Sequence, residues 1–324
     1  MLIKEYEKEY EKKVLNLFET VFTKKISENY WSYRLNEFGD AIRYIMIEEE
    51  KVIGHYVVHP IPLEIFGEKT KALFSMSVMT HPEFRGKGIF SSLATEVYKK
   101  AISLGYEIIF GFPNDNSASI HFDKLGWKNH GKITEYVKNI QTANVRNIQT
   151  ANVRNIEYEV VEIEPNDQMI EEIWNENKEK FPIIVPRTSA YIRWRFFSQL
   201  NENSENNSFY KLYIVKKNNI PKAYFILKYF NSEKVHIVEF FGDVTGEVFY
   251  SIINYALEFS KKLKIKYLSF WLGKIRNKEI ENICNNFGFV KCESTAYFGI
   301  KNLIPNNSVN LNNWHLTMSD SDIF

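Results

Sequence analysis

Residues 80–90, which read THPEFRGKGIF, separate an extended apolar run from a helical pattern. Gly86 and Gly88 permit a tight turn and leave no side chain that would keep a ligand away. The N–H groups at the start of the following helix are unpaired and form the positive end of its dipole. Arg85 and Lys87 add two cations that can make charge-assisted contacts. The segment therefore predicts a cradle for a phosphate or pyrophosphate group.

The chain around this turn has the pattern of a mixed α/β fold. The predicted elements are, in chain order, a helix at 11–22, strands at 41–48, 52–59 and 73–79, a helix from 89, a strand at 106–112, a short helix that ends near Gly126 and a strand near 134–139. Apolar residues at 89, 93, 97 and 101 give the helix after the turn one buried face. Gly105 suits the end of that helix.

Two common phosphate-binding patterns do not fit the turn. The P-loop order Gly-x-x-x-x-Gly-Lys-Ser/Thr is absent, and Gly-x-Gly-x-x-Gly fails at Ser91. The turn resembles instead the CoA-binding motif of the GNAT (Gcn5-related) N-acetyltransferases, Val-x-x-x-Pro-x-x-Arg-Gly-x-Gly followed by a helix. The matching residues are Val78, Pro82, Arg85, Gly86, Gly88 and Leu93. A second element of that family, Asn…Ala…Tyr-x-x-x-Gly-Phe, has a counterpart in residues 113–127.

The resemblance implies a site for acetyl-CoA or another acyl-CoA as co-substrate. Its implied backbone contacts to the pantetheine arm and the acyl carbonyl come from Val78, Met79 and Thr80. The residues implied to wrap the pyrophosphate are Arg85, Gly86, Lys87, Gly88, Ile89 and Phe90. Asn114 and Asn116 are candidates for amide contacts to CoA, and the alternative is that they cap the helix that follows.

Two positions depart from the family pattern. The sixth position of the loop, usually Gly or Ala, is Phe90, so its ring must turn away from the phosphates. The position that often holds a tyrosine to protonate the departing thiolate is Phe122, which cannot donate a proton. His81 and His121 are the nearest titratable residues, and a structural or surface role is the simpler interpretation of both. The sequence therefore assigns no catalytic residue.

The two halves of the chain echo each other. The motifs YWSYRLNEF and YIRWRFFSQ begin at Tyr30 and Tyr191, an offset of 161 (191 − 30). The motifs YEIIF and YLSFW begin at Tyr106 and Tyr267, again 161 apart (267 − 106). The glycines of KLGWKNHG and NFGFVKCE differ by 162 (288 − 126). Three nearly equal offsets in the same order favour two copies of one unit, as in a tandem GNAT protein.

An octapeptide repeat lies between the halves, since residues 139–146 recur unchanged as 147–154. A polar connection of this kind tolerates insertions. We predict a GNAT acyl-CoA-binding domain at 1–139, a linker at 140–156, a degenerate GNAT-like domain at 157–302 and a tail at 303–324. Each domain is expected to be a mostly antiparallel twisted sheet flanked by helices. The tail either docks through Trp314 or is disordered.

The second half lacks the phosphate cradle of the first. Its corresponding stretch, residues 240–253, keeps Gly246 but has no Arg-Gly-x-Gly, and Asp243 and Glu247 would repel a pyrophosphate. We expect this half to pack against the first and to shape an acceptor cleft. One group is either core or the lining of a cleft for a sugar or another polar ring: Tyr191, Arg193, Trp194, Arg195, Phe196 and Phe197.

Composition and charge exclude several classes of protein. Lys and Arg number 41 against 40 Asp and Glu, so neither nucleic acid nor membrane insertion is expected. The charged N-terminus has no apolar signal segment, and no apolar run reaches membrane-spanning length, so a cytoplasmic protein is expected. Cys284 and Cys292 lack metal-site spacing, and no metal is expected. Richness in Asn, Lys, Ile, Phe and Tyr is typical of low-GC bacterial genomes.

The resemblance implies an acyl-CoA-dependent N-acyltransferase, most simply an acetyltransferase, acting on the primary amine of a small molecule. Candidate acceptors are an amino sugar or its nucleotide conjugate, an aminoglycoside-like compound and a peptide amine. The alternative is a CoA-binding sensor or structural module without turnover, and a nucleotide-binding regulator fits the motif less well. The acyl chain and the oligomeric state stay open.

Overall fold

The computed structural model describes residues 1–141, 158–165, 167–198, 209–230, 233–273, 278–304 and 314–322. Most of the predicted linker, from residue 142 onward, lies outside the described residues. The chain divides into two compact units. Unit 1 contains the described parts of Met1–Leu63, Glu68–Lys132 and Thr295–Leu311, and unit 2 those of Glu64–Gly67, Ile133–Ser294 and Asn312–Phe324. Each unit thus combines three chain segments, whereas the sequence prediction gave consecutive ranges.

Unit 1 is a sheet with helices. Its strands are β1 (Leu2–Glu5), β2 (Ile42–Glu48), β3 (Lys51–Ile65, whose last two residues belong to unit 2), β4 (Glu68–Ser75), β5 (Met79–Thr80) and β6 (Ile108–Gly111). Its helices are α1 (Glu11–Phe22), α2 (Glu28–Asn36) and α3 (Ile89–Ser103). β1, β2 and β3 pair antiparallel, and β4 and β6 pair parallel.

The predicted apolar face of α3 is confirmed. Ile89, Leu93 and Val97 are buried in one core cluster with residues of β2, β3, β4 and β6. Gly54 on β3 allows the close approach, because a Cβ there would press against Ile89 and Leu93. The helix ends as predicted, with Gly105 in the left-handed region at φ +76°.

Unit 2 repeats this arrangement. Its strands are β8 (Tyr158–Ile163), β9 (Ile183–Ile184), β10 (Phe209–Lys217), β11 (Ile220–Phe230), β12 (Lys234–Gly242) and β13 (Tyr267–Trp271). Its helices are α4 (Gln168–Asn177), α5 (Ser189–Phe196), α6 (Gly246–Lys262) and α7 (Lys278–Asn286). Two further strands, β7 (Lys128–Asn139) and β14 (Val290–Asn302), contribute residues to both units.

The internal echo corresponds to a shared element order. Each unit has a first strand, two helices, three sequential sheet strands, a long helix and then a strand that pairs parallel with the last of those three strands. Gly126 and Gly288, which anchored one of the offsets, both have left-handed backbone, at φ +66° and +75°. The predicted fold class, a mixed α/β fold with a large and mostly antiparallel sheet flanked by helices, is confirmed.

The C-terminal segment and most of the predicted group at 191–197 belong to the core, whereas Arg193 is exposed and Phe197 is half-buried. Residues 314–321 are buried in unit 2, and Trp314 is 1% exposed, so this part of the tail docks. Tyr191 and Trp194 are buried, and Arg195 donates hydrogen bonds to the carbonyls of Ser319 and Ser321. Among the described helices, none is both long and apolar enough to cross a membrane.

Candidate functional site

A gap opens in unit 1 where β4 and β6 part. Their last paired residues are Ser75 and Gly111. Beyond Ser75 the chain turns away, with Ser77 at φ +49°, and β5 pairs with β3 instead. Beyond Gly111 the chain moves to the other neighbour, since Pro113 O accepts from Tyr297 N at 2.8 Å. The predicted strand at 73–79 is therefore wrong in its continuity, and the interruption creates an opening between two strands.

The predicted phosphate cradle lies directly after β5. Residues 81–88 begin with a 3₁₀ turn at Pro82–Phe84, and Gly86 and Gly88 follow at φ +78° and +76°. Gly88 is the residue before α3, and no side chain caps the helix start. A Cβ at either glycine would meet nothing within 4 Å. The glycines are thus required by backbone conformation and leave open space in front of the helix N-terminus.

The charges of this loop suit an anion. Arg85 and Lys87 are exposed, and the first turn of α3 contains no acidic residue. Lys87 Nζ lies 4.6 Å from the centre of the Phe84 ring. Phe90 turns inward, as the sequence required, and its ring contacts those of Tyr56 and His121 at 5.3 and 5.1 Å between centroids. The large side chain therefore leaves the open side of the loop free.

The other residues that are predicted to contact CoA form two groups. Met79 is buried and Val78 and Thr80 are half-buried beside the gap. Asn114 caps the turn that follows it, because its Oδ1 accepts from Asn116 N at 3.1 Å. Asn116 is exposed on the same turn. The structure thus brings the strand residues, the loop and this turn together in unit 1, and Asn114 has the capping contact that was the alternative interpretation.

The histidines near the loop have structural surroundings. His121 lies in a π-helical segment, Ile120–Lys124, where its Nδ1 is 2.9 Å from Ser117 O. Burial lowers the pKa of His121 to about 4, and the Ser117 backbone opposes this shift only in part. The ring packs edge-on against Trp127 at 4.7 Å. His81 is half-buried against Phe84. Neither supplies an evident acid or base.

One set of contacts that holds the Asn114 turn in place was not predicted from the sequence. Tyr297 of β14 donates a hydrogen bond to Asp115 Oδ1 at 3.0 Å, and Lys132 Nζ lies 3.3 Å from the same oxygen. The Tyr297 ring also contacts Phe122 at 5.8 Å. Tyr297 is 182 residues from Asp115 in the chain, so no local pattern could have indicated that it fixes the Asn114 turn.

Unit 2 has a different turn at the corresponding place. β12 ends at Gly242 and α6 begins at Gly246, so residues 243–245 replace the long loop of unit 1. The Glu279 carboxylate lies against Gly246, so close that no Cβ would fit between them. Asp243 pairs with Lys180 at 3.0 Å. The start of α6 therefore already has a carboxylate of the chain itself next to it.

Comparison with known proteins agrees with this geometry. A sequence model of the acetyltransferase (GNAT) domain family matches residues 2–129. No protein with a curated description matches the chain by sequence. A solved protein of Enterococcus faecalis V583, of unknown function and described as a probable N-acyltransferase, has a TM-score of 0.69 and 14% identity over 93% of this chain and 72% of its own.

Two further solved structures are similar. A GCN5-related N-acetyltransferase from Anabaena variabilis has a TM-score of 0.67 and 12% identity, covering 94% of this chain and 73% of its own. A tandem GNAT protein from the clavulanic acid biosynthesis pathway has a TM-score of 0.61 and 10% identity, covering 94% of this chain and 99% of its own. At these identities the likeness concerns the fold alone. Residues 2–129 therefore match the GNAT acetyltransferase domain family, and the chain along most of its length has the fold of a tandem GNAT protein.

Proposed function

We propose that the protein is an acyl-CoA-dependent N-acyltransferase, most simply an acetyltransferase, that acts on the primary amine of a small molecule such as an amino sugar. The observation that supports this most directly is the gap beyond Ser75 and Gly111 next to an uncapped helix start. An anionic cofactor with a long polar arm fits both features at once. The open glycines and the cations Arg85 and Lys87 suit its pyrophosphate.

The binding roles follow from position. The pyrophosphate lies on the loop at Arg85, Gly86, Lys87, Gly88, Ile89 and Phe90, contacted mainly by backbone N–H groups. The pantetheine arm enters the gap and pairs with the backbone of Val78, Met79 and Thr80. Asn116 contacts CoA from the neighbouring turn. Asn114 acts mainly through the shape of that turn, because its side chain is already used in capping.

The reaction needs positioning more than acid–base chemistry. The amine nitrogen attacks the thioester carbonyl carbon, the C–S bond breaks, the amine loses a proton to water and the CoA thiolate gains one. Holding the amine next to a polarised carbonyl can supply about 7–11 kcal/mol of the barrier reduction in favourable systems. Backbone N–H groups at the carbonyl oxygen add electrostatic stabilisation.

The test is CoA release from acetyl-CoA with a panel of amines that includes amino sugars, aminoglycosides, polyamines and peptides. Amine-dependent CoA release with formation of the acetylated amine is expected. The second candidate, a CoA sensor or structural module, is favoured by Phe122, because phenylalanine cannot protonate the thiolate. Tight acetyl-CoA binding without turnover of any amine would support the sensor and contradict the enzyme.

Phe122→Leu is expected to keep most of the catalytic rate. Phe122 packs against Gly299 and Tyr297 and has no proton to give, so leucine preserves apolar contact at little cost. The measurement is kcat with saturating acetyl-CoA, after circular dichroism has shown that the variant is folded. A loss beyond about a thousandfold, within the 10²–10⁴ range of a catalytic acid or base, would show that the ring has a direct role.

One acyl-CoA is expected to bind per chain, in unit 1. Residues 243–245 are too short to wrap a pyrophosphate, and the Glu279 carboxylate next to Gly246 would repel one by about 1 kcal/mol per close charge pair even in water. Native mass spectrometry counts the ligands. The Gly88→Glu variant is the control, because it should reduce the count from one to zero. A second equivalent ligand, or one ligand that persists in this variant, would contradict the assignment.

A further inference from the structure

His55 is a buried histidine whose ring interacts with the backbone of Ser77 but makes no hydrogen bond of good geometry with the described residues. It lies on β3, its exposed fraction is 0%, and neither ring nitrogen meets hydrogen-bond geometry. Nε1 of Trp31 on α2 also makes no hydrogen bond of good geometry with the described residues. The ring centroids of Trp31 and His55 are 5.8 Å apart. Buried polar groups are nearly always paired with protein, water or a ligand. The two side chains therefore point to a polar partner that the described chain does not supply.

The strand register places His55 next to the candidate acyl site. His55 and Met79 are Cα partners in the antiparallel pairing of β3 and β5. Such partners lie about 4.5–5.5 Å apart at Cα and present their side chains on the same face. The neighbouring Gly54 faces Ile89 and Leu93 of α3. Because side chains alternate along a strand, His55 projects from the face opposite α3.

In the proposed function, the amine approaches from the face of the strands opposite α3. The pyrophosphate lies at the start of α3, and the backbone of Met79 contacts the acyl carbonyl, so CoA occupies the α3 side of the strands. An amine that attacks the carbonyl carbon must then approach from the other side. His55 and Trp31 lie on this side with buried ring nitrogens that make no hydrogen bond of good geometry within the described residues.

The surroundings of His55 disfavour a positive charge. Burial and then Arg43 lower the pKa of His55 to about 3, and the backbone of Ser77 opposes the shift only in part. Arg43 lies 3.8 Å from the carboxylate of Glu11. A neutral imidazole carries one acceptor nitrogen and one donor. It can therefore accept an N–H from a neutral amine, which is the form with the lone pair needed for attack.

We propose that His55 is an acceptor-binding residue whose ring accepts a hydrogen bond from the attacking primary amine, while Trp31 Nε1 donates to an oxygen close to that amine. The ligand class is thus an amino alcohol or amino sugar. This inference rests on the proposed acyltransferase function. It also accounts for an unpaired buried imidazole, which costs stability unless a ligand uses it.

The test uses glucosamine as the probe and cyclohexylamine as its hydroxyl-free counterpart. His55→Leu is expected to lower kcat/KM for glucosamine at least 50-fold and to leave the Kd of acetyl-CoA unchanged. Its urea midpoint should stay level or rise, because an unpaired polar group has been replaced by an apolar one of similar size. His55→Gln keeps an acceptor and should recover part of the loss. Trp31→Phe should lower kcat/KM for glucosamine only.

His59→Leu is the matched control. His59 is the second buried histidine on the same face of β3, and its Nδ1 lies 3.1 Å from Pro60 O. This variant should keep kcat/KM for glucosamine within threefold of wild type. If glucosamine is a poor substrate, the panel amine with the highest kcat/KM takes its place. If His55→Leu does not fold, His55→Phe replaces it with the same expected loss.

Four outcomes would overturn the inference. The first is a His55→Leu variant with kcat/KM for the amine within threefold of wild type. The second is an equal loss in the His59→Leu control. The third is a wild-type preference for cyclohexylamine over glucosamine, which would remove the oxygen contact. In each of these the wild type still turns over amines, and the proposed function stands. The fourth is a wild type that turns over none of the amines, which overturns both this inference and the proposed function.

Discussion

Gly88→Glu is expected to weaken acetyl-CoA binding at least 100-fold while the protein stays folded. Gly88 has φ +76° immediately before α3 and faces open space. A glutamate there places a carboxylate and its bulk where the pyrophosphate is proposed to lie. Repulsion costs about 1 kcal/mol per close pair in water and about 4 at the effective dielectric of a protein surface. At the protein-surface value, two such pairs exceed the roughly 2.7 kcal/mol that a 100-fold loss requires. Titration calorimetry measures the affinity.

Two controls separate charge from backbone strain. Gly88→Ala has the same unfavourable φ without the charge, and it should lose far less affinity. Gly67→Glu adds the same side chain at an exposed glycine of the β3–β4 turn, with φ +81° and open space around it. It should lose a similar amount of stability and no affinity. Unchanged acetyl-CoA affinity in a folded Gly88→Glu variant would remove the phosphate assignment.

Arg187→Met is expected to reduce the free energy of unfolding by about 3–5 kcal/mol, the usual cost of removing one partner from a buried ion pair. Arg187 is fully buried in unit 2, with Nε 2.7 Å from Glu239 and Nη2 2.6 Å from Asp320. Thr317 and Ser319 of the docked C-terminal segment also donate to Glu239. Without the guanidinium, two buried carboxylates remain uncompensated. Urea unfolding followed by circular dichroism measures the difference.

Arg193→Met is the matched control, since Arg193 is an exposed residue of α5 and its replacement should change stability by less than about 0.5 kcal/mol. The triple variant Arg187→Met, Glu239→Gln, Asp320→Asn should regain part of the loss, because no charge is then left unpaired. A single Arg187→Met variant within 1 kcal/mol of wild type, about the median effect of a point mutation, would contradict this account.

The loss of unfolding free energy in Arg187→Met should also depend on pH. Burial alone would raise the pKa of Glu239, but Arg187, the neighbouring His315 and a hydrogen bond from Ser319 outweigh it, so its pKa is lowered. A carboxyl group whose pKa is lower in the folded state stabilises the fold at pH values above its unfolded-state pKa of about 4.3. This stabilisation is lost as the pH falls through the pKa of the folded state. The difference in free energy of unfolding between the wild type and Arg187→Met is therefore full at pH 7, and we expect it to become smaller in acid.

Local sequence patterns predicted the fold where contacts are local. The helix predicted at 11–22 has the bounds Glu11–Phe22. The strands predicted at 41–48 and 52–59 match β2 and the first part of β3, because alternating side chains and a short turn specify this hairpin. The strand at 73–79 was predicted as continuous because most of its residues are apolar and suit an extended segment. The interruption at Ser77 depends on β5 pairing with β3 rather than with β6, which is a choice among distant partners.

By itself, the sequence identified the loop that we propose as the phosphate cradle. Glycines at 86 and 88, cations at 85 and 87 and a helix start are consecutive in the chain, so their chemistry can be read without knowing what surrounds them. Tertiary structure alone decided which buried groups lack a partner. Nothing in the neighbouring sequence indicates that Arg187 is buried between two carboxylates whereas Arg193 is exposed, or that His55 lies next to β5. These surroundings come from residues far away in the chain, Asp320 beside Arg187 and Met79 across from His55. Folding places these residues together because burial of a polar group is tolerated only where another chain segment, or a ligand, completes its hydrogen bonds.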